Sequence, residues 1–269
     1  MEYLEQARDE LMGISELQAL WAESGTKLST YRVEIQYREG AVYGDKLQVR
    51  STAHQVSPSQ LRFDQEIWKS GGDKAIVVAQ AEVRCLDRNG EQVAMPDGIV
   101  ARAASYPFAN DAEPQPWPDA TGDAAPARWI SPLELYFEDT DHTGIVHQSN
   151  YLKYFERARQ PCLGKEMLAR LWEEDGIGWV VIKAVLQYNN NVQYKDDIEI
   201  RTRLKKSSTF RTSFTQEVWS KSGDRPMVEG EVELCNVSRE GKLIKVPPSV
   251  KAEIKKELAR QKEAMKAAA

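Results

Sequence analysis

The sequence predicts an α+β protein in which one helix-then-sheet unit is present twice. An offset of 151 residues aligns 94 positions, Tyr3–Pro96 on Tyr154–Pro247, without a gap. The alignment holds 27 identities, where chance supplies about six. Leu20 and Leu171, Trp21 and Trp172, Tyr37 and Tyr188, Phe63 and Phe214, and Trp68 and Trp219 all keep register. Each copy opens with apolar residues spaced by three or four and continues with residues that alternate in polarity, a helix followed by half-buried strands.

In the second copy Tyr151, Phe155, Ala158 and Cys162 form the apolar stripe of a half-buried helix, with Lys153, Glu156, Arg157 and Gln160 among the more polar positions. Pro161 removes an amide donor where the first copy has Glu10, which predicts a kink or restart and a continuation to about Trp172. Ile198, Ile200, Thr202 and Leu204 alternate with Glu199, Arg201, Arg203 and Lys205, giving a strand with one buried and one wet face. Further strands are expected at about 178–189, 208–220 and 226–238, with a short one near 242–246. Turn signals such as Lys221-Ser222-Gly223-Asp224 separate them, and short turns between consecutive strands require antiparallel pairing. Residues 97–127 carry Pro107, Pro114, Pro116, Pro118 and Pro126 among Ala and Asp, a linker without its own core. A strand over Ala127–Glu138 leads into the second helix, and Val250, Ile254 and Leu258 mark a short C-terminal helix. The resulting division is a first unit at 1–100, a linker at 101–127 and a second unit at 128–269.

Composition narrows the function. Lys and Arg number 36 against 41 Asp and Glu, a net charge of −5, which argues against a general grip on nucleic acid. No apolar run approaches the ~18 residues of a membrane span, and the charged start MEYLEQARDE is not a signal peptide. A cytoplasmic location and no membrane partner are the expectation. Cys85, Cys162 and Cys235 show no paired spacing and read as reduced, small apolar side chains.

The stretch from Asp139 to Tyr151 carries the chemistry. It sets an acid, a flexible glycine and a helix start together. The first amides of a helix hold partial positive charge, so they can polarise a carbonyl while a nearby carboxylate acts on water. The segment FEDTDHTGIVHQSNYLKYFERAR resembles the signature of the 4-hydroxybenzoyl-CoA thioesterase family, acyl-CoA thioesterases of hotdog fold. The resemblance rests on Thr140-Asp141, Gly144, Ile145-Val146, Asn150-Tyr151 and the helix Tyr154-Phe155-Glu156-Arg157-Ala158-Arg159. It implies a tandem hotdog, each unit an antiparallel sheet wrapped around a central helix, with two units pairing to build active sites. Such a chain is an intramolecular pseudo-dimer, and further oligomer formation is left open.

Carried over by position, the family's catalytic aspartate falls on Asp141, as nucleophile or as general base for water. Its oxyanion donor, a backbone amide, falls on Gln148. Gly144, Val146, His147 and Tyr151 are the expected pocket residues. The phosphates of CoA need cations, and Arg203, Lys205, Lys206 and Arg211 with Ser207 and Ser208 form the densest basic cluster. The substrate implied is an acyl-CoA or an acyl carrier protein thioester. No cofactor is required, and His142 with His147 makes a poor metal site. His142 reads as exposed, Asp139 as a turn residue, Glu156 as a structural hydrogen-bonding residue, and the tryptophans as packing. The repeat offset places the counterpart of Asp141 before Met1, so the first unit is expected to lack its first strand and catalytic loop. A non-catalytic acyl-CoA-binding module and a hydratase are the competing readings.

Overall fold

The computed structural model describes residues 1–106, 127, 129–141, 144–162 and 164–268. The linker prolines and His142 lie outside the described residues. The chain divides into two compact units, Met1–Pro118 and Asp119–Ala269.

Unit 1 opens on helices α1 (Glu2–Met12) and α2 (Ile14–Ser24), followed by strands β1 (Lys27–Tyr37), β2 (Leu47–Ser57), β3 (Gln60–Lys69) and β4 (Ala75–Leu86). The strands pair antiparallel in the order β2, β3, β4, β1. Helix α1 buries Leu4, Arg8, Leu11 and Met12, the first three brought to one face by steps of four and three. Helix α3 (Asp97–Ala104) buries Ile99 and Ala103. It occupies the start of the stretch read as linker, because these two apolar residues four apart give it a face to bury.

Unit 2 contains β5 (Trp129–Leu133), a 3-10 turn at Phe137–Asp139, α4 (Asn150–Arg159), a second 3-10 turn at Gln160–Cys162, and α5 (Lys165–Glu173). Strands β6 (Ile177–Tyr188), β7 (Ile198–Ser207), β8 (Arg211–Ser220), β9 (Pro226–Ser238) and β10 (Leu243–Ile244) follow, then α6 (Pro248–Ala268). The antiparallel sheet runs β6, β9, β8, β7, β5, with β10 on β9. Helix α4 presses Tyr151, Tyr154, Phe155 and Ala158 into a core shared with Ala184, Leu186, Ile198, Ile200, Phe214 and Val232. Gly230 on β9 is where the helix comes closest, since a Cβ there would overlap the Phe155 ring.

Three expectations are corrected. The strand expected over Ala127–Glu138 ends at Leu133, because the Asp139 carboxylate accepts the Tyr136 N–H at 2.9 Å and turns the chain. The restart expected at Pro161 falls instead at Gly164, as at Gly13 in unit 1, where φ is 83° and 85°, and α5 then runs to Glu173. The C-terminal helix is long, 21 residues, with Val250 and Ile254 buried. No described helix is long and apolar enough to cross a membrane.

Candidate active site

Between the 3-10 turn and α4 the chain folds into a small hairpin. Thr140 bridges Val146, the Asp141 N–H donates to the Ile145 carbonyl at 2.8 Å, and the Gly144 N–H donates to the Asp141 carbonyl at 3.0 Å. Gly144 takes φ 81°, a left-handed conformation that a side chain resists. The half-buried Asp141 carboxylate accepts the Ile145 N–H through Oδ1 at 3.1 Å, so the acid is oriented by its own loop.

The hairpin is clamped from outside. The Val146 N–H donates to the Val192 carbonyl at 2.9 Å and the Tyr194 N–H to the Gly144 carbonyl at 2.8 Å. The His147 N–H donates to the Asp139 carbonyl at 2.9 Å. The amides from Gly144 to His147 are thereby committed to the loop's own architecture. Next along the chain is Gln148, in the turn that enters α4, where the helix start favours negative charge. Its carbonyl accepts the Tyr188 hydroxyl at 3.4 Å.

Several residues to which the sequence reading gave no role position the loop. Asn150 is buried and donates through Nδ2 to the Asp139 carbonyl at 3.0 Å, tying the helix start to the turn before the acid. Tyr188 and the Val192–Tyr194 segment hold the far side, and the repeat of Tyr188 as Tyr37 was the available signal for the former. Burial, reinforced by the Asp139 carboxylate, pushes the Tyr154 phenol well above its ordinary range and keeps it protonated.

The expected pocket residues separate. Gly144 and the exposed His147 lie on the loop with Asp141 and Gln148. Val146 and Tyr151 are buried, 3% and 2% exposed. Both are core residues, and the Tyr151 ring meets Tyr154 and Tyr188 edge-on at 5.9 and 5.6 Å. Their apolar surface is better buried than shown to solvent.

The basic cluster is likewise corrected. Arg203 is buried in a two-point ion pair with Glu217, at 2.7 and 3.1 Å. Lys205 pairs with Glu231 at 3.0 Å and Arg211 with Glu233 at 3.1 Å. Lys206 and Ser208 are exposed, but they sit at the far end of β7 from the Asp141 loop, about 25–30 Å along the strand. Within unit 2, therefore, the acid and the cations are not brought together. Glu156 is exposed, and its carboxylate acts electrostatically on the buried Arg159. No group of three potential metal ligands occurs among the described residues.

A family model described as the thioesterase-like superfamily matches residues 135–254. An esterase-like protein of Aquifex aeolicus is 31% identical over 117 residues, which cover 43% of this chain and 89% of that protein. The Escherichia coli acyl-CoA thioester hydrolase YbgC is 29% identical over 92 residues, 34% of this chain and 67% of the relative. Among solved structures, the 12:0-ACP thioesterase of Umbellularia californica superposes with a TM-score of 0.62 at 12% identity, covering 80% of this chain and 75% of that one. The acyl-ACP thioesterase of Bacteroides thetaiotaomicron gives 0.58 at 15% identity, covering 85% and 83%. These two likenesses concern the fold, and they extend over both units.

Proposed function

From the premise that this chain belongs to the thioesterase-like superfamily and is a thioester hydrolase of hotdog fold, we propose that its substrate is an acyl-CoA and that Asp141 and the Gln148 amide are the chemical centre. Water supplies the oxygen that becomes part of the acid, and the thiol leaves with a proton. Asp141 either takes the proton from that water or attacks the thioester carbonyl itself, and the Gln148 N–H meets the oxygen that gains negative charge.

The observation that supports this reading is the arrangement of the loop. One carboxylate is fixed by the Ile145 amide, four successive amides are committed to internal bonds, and the chain then turns into a helix start. A site made to act on water needs an oriented base beside an electropositive main chain.

The test is free thiol release from a panel of acyl-CoA esters. Asp141→Asn should lower turnover by about 10²–10⁴-fold with the fold retained by circular dichroism. Gln148→Ala should stay within a few-fold of the parent, because the donor is backbone. Gln148→Pro, which deletes that donor, should cost about 10²–10³-fold. Undiminished hydrolysis by Asp141→Asn would overturn the assignment. In single turnover in ¹⁸O-water, label in the Asp141 carboxyl group with unlabelled acid establishes the nucleophilic route, by water attack on the Asp141 side of the anhydride, whereas the general-base route puts the label in the acid.

A further inference from the structure

Among the described residues unit 1 has no counterpart of β5 or of the Asp141 hairpin, yet it keeps the surface that receives them in unit 2. In unit 2 the strand Trp129–Leu133 pairs antiparallel with residues 198–202, and the hairpin rests on the main chain of Val192 and Tyr194. The repeat offset places these positions at 47–51 on β2 and at Ala41 and Tyr43 in unit 1. Among the described residues β2 has a strand partner on one side only, β3. Further along, the Ala53 N–H donates to the Tyr106 carbonyl at 3.4 Å, so the open part of the edge is 47–52.

The receiving loop has the same form in both units. The Val42 N–H donates to Asp45 Oδ2 at 2.9 Å in unit 1, and the Gln193 N–H to Asp196 Oδ2 at 2.8 Å in unit 2, the same side-chain-capped turn. The residue inside that turn is left-handed in each, Gly44 at φ 94° and Lys195 at φ 77°. Exposure is what differs. Tyr194 is 39% exposed and meets Phe137 edge-on, whereas Tyr43 stands wholly in solvent with Val42 beside it. Ile198 and Ile200 are buried, whereas Leu47 is exposed and Val49 half-buried. An open sheet edge is ordinarily guarded by charge, a bulge or a proline. Here Arg50 lies over the Trp68 ring on the other face, and the side of Leu47 and Val49 stays apolar.

We propose that unit 1 is a docking surface for a segment of a different polypeptide, an extended apolar strand that adds to β2 and continues into a glycine-containing hairpin seated on the loop at Ala41 and Tyr43. The main chain of that segment bonds to the edge of β2, and its alternate side chains cover Leu47 and Val49. An aromatic ring at the place of Phe137 meets Tyr43. A second copy of this chain is not the occupant, because its matching segment is already held in its own unit 2 by β7, Val192 and Tyr194. What is recognised is main-chain shape and apolar side chains, so the proposal stands apart from the role given to Asp141.

Fluorescence anisotropy of a labelled synthetic peptide of residues 129–149, titrated with the full chain, tests it. Saturable binding below millimolar concentration is expected, and none by a scrambled peptide of the same composition. Leu47→Lys together with Val49→Lys, which charges the edge at two solvent-accessible positions, should weaken binding at least about tenfold, and Tyr43→Ala about threefold. A benzophenone side chain at the Phe137 position of the peptide should cross-link to residues 40–51 of unit 1. No saturation, equal binding of the scrambled peptide, or affinity unchanged in the folded edge variant would each overturn the proposal. Cross-links confined to 190–202 would do so as well, by showing the peptide replacing unit 2's own segment. A dimer of the chain that the edge variant dissociates would make a second copy the occupant and overturn it too.

Discussion

The two units solve the same helix-against-sheet contact with different residues. In unit 2 Phe155 lies against Gly230, and in unit 1 the same positions hold Leu4 and Ala79. A larger helix residue is matched by a smaller strand residue, so the quantity kept through the duplication is the filled volume. Around this exchange the polar frame is nearly unchanged. Gln65 and Gln216 each donate to the backbone of the central helix, at Leu4 and Phe155, and to a strand hydroxyl, Ser51 and Thr202. Trp68 and Trp219 each donate to a glutamate two residues back at 2.8 Å and carry an arginine over the ring at 4.1 and 4.0 Å. Around this contact the units differ in a volume pair and in individual charges, which can be altered one at a time.

The largest effect should come from a charge present in one unit only. Glu217→Ala strands Arg203 in the interior and should cost about 3–5 kcal/mol in urea unfolding. The counterpart of Arg203 is Thr52, so Glu66→Ala leaves no buried cation and should cost far less. Equal losses would show that the ion pair is not what distinguishes the units. Next comes the volume pair. Gly230→Ala should cost about 1–3 kcal/mol, and adding Phe155→Leu, which recreates the pair of unit 1, should recover part of it. Strictly additive effects in that double-mutant cycle would break the volume argument.

Gln65→Ala should then be worse than Gln216→Ala by about 1 kcal/mol, because only the former removes an acceptor from a buried arginine. The smallest effect concerns pH. Burial lowers the His54 imidazole from 6.5, with the Asp64 carboxylate opposing, whereas unit 2 has Lys205 and Thr215 at those places. A depressed histidine leaves stability intact above its unfolded value and removes it as pH falls through the folded one. His54→Gln should therefore flatten the decline of stability below about pH 6.5, by a few tenths of a kcal/mol given its partial exposure. A slope unaffected by the change would assign that decline to other groups.

Much of this was readable from residue order. The period of two in 198–205 located β7, and the apolar spacing of Tyr151, Phe155 and Ala158 located α4, because both patterns report which face meets the core. The Asp141-to-Gly144 spacing located the loop before α4, though not its hairpin form. What stayed hidden depends on partners distant in sequence. Arg203 looked like a wet-face cation until register set it near Glu217 across the strand pair. That Val146 and Tyr151 are core residues was not legible in a linear motif, which does not say which way a side chain turns.

The clamp on the Asp141 hairpin bears on how portable this chemistry is. Val192 and Tyr194, some fifty positions downstream, hold the loop through main-chain bonds, to which the Tyr194 ring adds an edge-on contact with Phe137. A graft of residues 135–159 into another scaffold would carry every motif residue and leave that restraint behind. Moving the connection before β7 together with it is the minimum a transplant requires.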